Sequence, residues 1–200
     1  AISVKQINDE TMHMLELAYE NVNQAFGQLL QFSDKIDEQI YKREDTVNYL
    51  DKVISEYIST ALATPNLNVN ISQALSSYYL MLVDIERISD YAVNMNHQAT
   101  KRLQGDMTIS EIEIVEHMKK LCADMKNDLD DVEEAERKDD VIDSLVSSWR
   151  EAQIQALKQK KCSSEVSMML SRIFTDFERI NDHALNVSQE LDKITVEIPD

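Results

Sequence analysis

Asp84-Ile-Glu-Arg-Ile-Ser-Asp-Tyr-Ala-Val-Asn94 recurs in the second half of the chain as Asp176-Phe-Glu-Arg-Ile-Asn-Asp-His-Ala-Leu-Asn186. One acidic signature, present once in each half of a 200-residue chain, marks an internal duplication. Both copies have helical periodicity. At about 100° per residue, Leu82, Ile85, Ile88 and Ala92 share one arc, as do Phe174, Phe177, Ile180 and Ala184 in the second copy. Glu86, Asp90 and Asn94 form a line beside that arc, so the acids stand at the edge of a packed seam.

Working outward, each signature closes a set of three helical stripes. The first half carries one from about Asp9 to Phe32, a second after Ser33-Asp34 that stops before Pro65, and a third from about Ser72 to Leu103. Gly105 is expected to supply the C-terminal stop. Thr108-x-x-Glu111 and Ser110-x-x-Glu113 offer overlapping capping boxes for a new start. The second half repeats the plan over about Ile109–Leu129, Glu133–Lys160 and Ser164–Leu191. The expected fold is all-α, two tandem three-helix bundles related by a pseudo-two-fold repeat, with units at 1–105 and 106–200.

Composition agrees. Only two Gly and two Pro occur, too few turn formers for an all-β fold. The net charge of −17, from 37 acids against 20 bases, excludes a phosphate-reading nucleic-acid surface and favours cations. The longest apolar run, Tyr78 to Val83, falls far short of the roughly 18 residues needed to span a bilayer. Cys122 and Cys162 form no CxxC pattern, which points to a reducing cytosol. A start at Ala1 without Met is expected of a fragment of a longer polypeptide.

The acids carry the chemistry. Glu86 and Asp90 repel each other one turn apart, as do Glu178 and Asp182, and such pairs beside apolar residues invite a compensating cation. On the second helix of each half, Glu44 and Asn48 share a face, as do Asp139 and Asp143. If the second and third helices run antiparallel, the two ladders of each half converge on one site. Oxygen ligands suit a hard divalent ion, and iron, zinc, manganese, magnesium and calcium all remain open. Two solvated acidic faces are the plainer alternative. His97 lies about 20° from Glu86 on the helical wheel, an angle that allows reach to the same site, but its counterpart is Gln189, which argues against a general metal role. His13, His117 and His183 read as surface or seam residues, and Trp149 as core.

No phosphate loop, nucleophile with base, or HExxH helix is present, so an enzyme is not expected. A carboxylate-bridged di-metal enzyme would need Glu-x-x-His pairs. No Glu stands three residues before His97 or His183.

The two Glu-Arg-Ile-x-Asp-x-Ala-x-Asn segments, with Glu44-Asp-Thr-Val-Asn48 and Asp139-Asp-Val-Ile-Asp143, resemble the PhoU family over nearly the whole chain. The resemblance implies tandem three-helix bundles and multinuclear metal clusters on acidic motifs. Its carry-over gives Glu44, Asn48, Glu86, Asp90, Asp139, Asp143, Glu178 and Asp182 as metal ligands. Two departures matter: Ser89 and Asn181 replace a frequent Gly, and the neutral Asn48 predicts weaker metal binding in the first half. The resemblance further implies a non-enzymatic regulator of phosphate transport or homeostasis, at the cytoplasmic face of the cell membrane. Its partners would be a membrane phosphate transporter and, for a stand-alone regulator, a sensor kinase; a homodimer is a further arrangement. Leu50-Asp-Lys-Val-Ile-Ser-Glu-Tyr-Ile58 is similar to the segment that follows the membrane part of sodium/phosphate cotransporters, which favours a domain fused to such a protein.

Overall fold

A computed structural model describes residues 3–194, and six α-helices make up nearly all of them. They are α1 (Val4–Leu30), α2 (Asp34–Leu62), α3 (Val69–Ala99), α4 (Ile109–Asn127), α5 (Val132–Lys158) and α6 (Ser164–Lys193). A short side chain caps each start. Ser3, Ser33, Asn68, Thr108, Asp131 and Ser163 each accept a hydrogen bond from a backbone N–H of the first turn that has no intrahelical partner. Such a cap contributes about 1 kcal/mol.

The structure chooses between the two capping boxes and corrects one expected helix stop. The capping box that starts α4 is Thr108 with Glu111, and Ser110 lies inside the helix. Gly105 does not end α3. The helix stops at Ala99, and Arg102 takes the left-handed conformation at φ 53°. Gly105 falls in a 3₁₀ turn over Gln104–Asp106 and has no positive φ. The local strain at Arg102 is offset by its guanidinium, which stacks 4.6 Å over the Phe32 ring and pairs with Asp34 at 3.1 Å.

Helices α1, α2 and α3 pack on one another, and α5 packs on α6. The halves join along α1 against α4 and α3 against α6. The α3–α6 pair is antiparallel: Asp84 meets His183 and Asn186, whereas Asn94 and His97 line a cleft with Ser171 and Asp176. The repeated signature builds this centre. Ile85, Ile88 and Ala92 are fully buried, as are Phe177, Ile180 and Ala184. Phe26 of α1 meets Phe177 of α6 edge-on at 6.3 Å between ring centroids, so one aromatic pair crosses the halves. None of the described helices is long and apolar enough to cross a membrane.

Candidate metal centres

In each half acids of the second helix meet acids of the third, with Glu178 left out. In the second half, α5 presents Asp139 and Asp143 and α6 presents Asp182, with one carboxylate oxygen from each within 4.8 Å of the other two. Ala135, Ile142 and Val146 bury the arc of α5 next to the acids, which sets Asp139 and Asp143 at the edge of the packed seam. Burial first, then the charges of Asp143 and Asp182, push the Asp139 carboxyl up to about 6. One Asp139 oxygen, Oδ1, is buried without a hydrogen-bond partner. A buried acceptor beside two further carboxylates is a donor set made for a hard cation. The residues therefore fit a divalent ion of the kind the acidic motifs imply.

Glu178 does not join that group. Arg150 Nη2 lies 3.5 Å from its Oε1. The same guanidinium is anchored by Thr175 Oγ1 at 2.9 Å and Ser171 Oγ at 3.3 Å, and stands over the Phe174 ring. An internal cation thus occupies the fourth carboxylate.

In the first half, Glu44, Asn48, Glu86 and Asp90 come together. Glu44 and Asp90 stand within hydrogen-bonding reach of each other, as do Asp90 and Glu86, and Asn48 lies close enough to Glu44 to pull its carboxyl down slightly. Burial is the main cause that raises both Glu44 and Glu86 to about 7, and Asp90 adds to it in each case. Ser89 works the other way, because its hydroxyl donates to Glu44. A relay holds Ser89 in place: Arg43 Nη1 donates to Asn21 Oδ1 at 2.8 Å, and Asn21 Nδ2 donates to Ser89 Oγ at 3.4 Å. Such outer partners orient a ligating carboxylate.

The counterpart of Ser89 behaves differently. Asn181 donates to the Phe177 carbonyl at 2.8 Å and toward Cys122 Sγ at 3.7 Å, and its own Oδ1 is buried without a partner. The Asp139 site therefore lacks the hydroxyl that Glu44 enjoys.

Sequence reasoning missed Asp51. Its carboxyl is raised by burial and then by the charge of Asp90, which places it against the first group. Glu44, Asn48 and Asp51 follow i, i+4, i+7 and so share a helix face. That spacing was available as a signal, but the second half has Val146 at the matching position, so comparison of the repeats hid it.

His97 is corrected. It lines the α3–α6 cleft with Asp176 and lies away from the acid ladder. Although nearly in line with Glu86, His97 lies three turns further on, about 16 Å along the axis at 1.5 Å rise per residue. Burial lifts Asp176 to about 6 in that cleft. His183 is a seam residue with a definite role. Its Nδ1 stands 2.8 Å from Asp84 Oδ1, and its ring stacks on Tyr91 at 5.8 Å.

An all-α chain of two repeated three-helix units, each with an acidic surface group on its second and third helices, is the class that fold and site define. The chain belongs to the PhoU domain family, whose model matches residues 11–99 and again 110–191. A Thermotoga maritima protein named phosphate-specific transport system accessory protein PhoU homolog 1 is 23% identical over 92% of this chain and 84% of its own length. A Clostridium acetobutylicum protein named as a homolog of the same accessory protein is 22% identical over 93% of this chain and 89% of its own. The crystal structure of PhoU from Pseudomonas aeruginosa superposes with a TM-score of 0.84 at 19% identity, over 94% of each chain. The phosphate transport system regulatory protein PhoU from Streptococcus pneumoniae gives 0.83 at 19% identity, over 98% and 97%.

Proposed function

We propose that this chain is a non-enzymatic regulator of phosphate transport that binds divalent metal on its two acidic groups. The observation that carries the metal reading is the triad Asp139, Asp143 and Asp182, whose oxygens approach within 4.8 Å while Asp139 Oδ1 lacks any partner. The Asp51–Asp90 group in the first half is the second centre. There the neutral Asn48 is offset by Asp51, so the first centre keeps four carboxylates: Glu44, Asp51, Glu86 and Asp90. Metal bound at either centre would join the second helix of its half to the third and stiffen that bundle.

Phosphate transport enters through the family and through relatives named as phosphate-specific transport accessory proteins. The partner is a membrane phosphate transporter, contacted from the cytoplasmic side. A sensor kinase as a further target and a homodimer both follow from the family resemblance.

Two settings have support. The wording of Leu50–Ile58 favours a domain fused to a sodium/phosphate cotransporter. Matches that span 84% and 89% of two accessory proteins favour a stand-alone regulator. The codons upstream of Ala1 separate them: a run of hydrophobic spans establishes fusion, and an initiator Met a few residues earlier excludes it.

Phosphate uptake in cells carrying a chromosomal deletion tests the regulatory role. Uptake or its response to phosphate supply is expected to change on deletion and to return with the wild-type gene. Identical uptake in deleted and wild-type cells, under both scarce and abundant phosphate, refutes it.

A further inference from the structure

The repeat provides its own control. Glu44 matches Asp139 on the second helices, and Asp84 matches Asp176 on the third. In this register the buried positions coincide: Val47 with Ile142, Ile58 with Gln153, Met81 with Ile173, Ile85 with Phe177. At these positions the packing of the second and third helices makes the same demand in both halves.

One end of the second half departs from its copy. Ile154 and Met168 are 54% and 62% exposed, and the matching residues of the first half are Ser59 and Ser76, both exposed. Lys158, Lys160 and Lys161 stand where the first half has Ala63, Pro65 and Asn66. Nothing in that packing calls for apolar side chains in water or for three lysines at the end of α5 and just after it.

Ile154 and Met168 line a groove of about 420 Å³ between α5 and α6, with Arg150 on its wall and Lys158 one turn beyond Ile154 at the end of α5. Ile154, Leu157, Met168 and Phe174 give it apolar walls. Helix α6 adds Ser164, Ser167 and Ser171 at i, i+3, i+7, side chains too short to fill the space and small enough for another backbone to come close. Its surroundings are basic in a chain of net charge −17. From 150 to 172, Arg150, Lys158, Lys160, Lys161 and Arg172 face only Glu151 and Glu165.

We propose that the α5–α6 groove is a docking site for an amphipathic helix of a partner protein, with apolar anchors along one face and acidic residues flanking them. The concave shape and small-residue lining suit a helix seated in a groove. The lysines supply complementary charge and steer the encounter. Met168 gives an adaptable apolar contact.

Fluorescence anisotropy with a labelled amphipathic peptide, Leu along one face and Glu beside it, tests the site on the full chain. Comparators are the same peptide with Lys in place of Glu, and phosphatidylglycerol vesicles. The acidic peptide is expected to bind saturably. The double variant Ile154→Ser/Met168→Ser, which installs the first-half residues at exposed positions, is expected to weaken it roughly tenfold. Lys158→Ala/Lys160→Ala/Lys161→Ala is expected to weaken it several-fold and to flatten its salt dependence. Three outcomes overturn the proposal: no saturable binding, equal binding of the Lys peptide, or equal binding to the Ser variant. Vesicle binding abolished by the same substitutions, without peptide binding, also overturns it and assigns the patch to a lipid surface.

Discussion

The guanidinium of Arg150 stands 3.5 Å from the carboxylate of Glu178 and withholds that acid from the Asp139, Asp143 and Asp182 group one helical turn away. The first half has Ser55 at the position of Arg150, so its corresponding acid, Glu86, meets Asp90 instead. Two ladders with the same spacing therefore offer a cation different surroundings.

Replacing the arginine tests this. Arg150→Ala releases Glu178, which lies i, i−4 from Asp182 and can turn toward the triad. Divalent-metal affinity of the second centre is expected to rise several-fold, read by competition with a chelating dye. Unchanged or weaker binding would show that Glu178 has no part in the site.

The raised carboxyls set a pH dependence for the metal-free protein. Glu44 and Glu86 at about 7, and Asp139 and Asp176 at about 6, all lie above ordinary carboxylate values. Between about pH 4.5 and 7 the folded chain therefore holds more protons than the unfolded chain, and stability falls as pH rises through that window. These groups are partly exposed, so solvent screening cuts the effect to about 1–2 kcal/mol in total, or roughly 3–6 °C in Tm. Saturating metal should reverse the slope, because metal competes with protons for the same oxygens. Thermal melts from pH 4.5 to 8, with and without chelator, provide the measurement.

The junction of the halves is polar at its rim. Asp84 accepts from Asn186 Nδ2 at 3.1 Å and bonds His183 at 2.8 Å. Its side chain is only 13% exposed, so deleting it leaves the half-buried His183 and the exposed Asn186 without their partner. Asp84→Ala is expected to lower stability by about 1–3 kcal/mol in urea unfolding. A loss under about 0.5 kcal/mol would mean that water replaces the carboxylate fully.

The apolar centre matters more. Phe177 is fully buried and touches both Phe26, across the halves, and Trp149, 6.2 Å away between ring centroids. Phe177→Ala is expected to cost about 3–5 kcal/mol and to alter Trp149 fluorescence in the folded state. Normal stability with unchanged emission would contradict this packing.

Much of the architecture was legible because one demand repeated. The burial stripe of the signature, Ile85, Ile88 and Ala92 with Phe177, Ile180 and Ala184, recurs in helical register and needs no tertiary knowledge. Helix starts were legible where capping chemistry is local, as at Thr108 and Glu111. The end of α3 was not, because a left-handed Arg102 stabilised by Phe32 and Asp34 depends on a distant segment. The acid ladders were readable for the same periodic reason, whereas the capture of Glu178 by Arg150 joins residues 28 positions apart (178 minus 150) on different helices. Asp51 was readable from i, i+4, i+7 spacing but masked by Val146 in the other copy.

The most direct measurement is metal content by elemental analysis, after purification without chelator and incubation with iron, zinc, manganese, magnesium and calcium salts in turn. The account predicts about one or more tightly held divalent ions per chain. Most of the second-half ion should be lost in Asp139→Ala/Asp143→Ala/Asp182→Ala, and the first-half ion in Glu44→Ala/Glu86→Ala/Asp90→Ala. A wild-type chain that retains none of the five metals, or variants that keep the full complement, would contradict it.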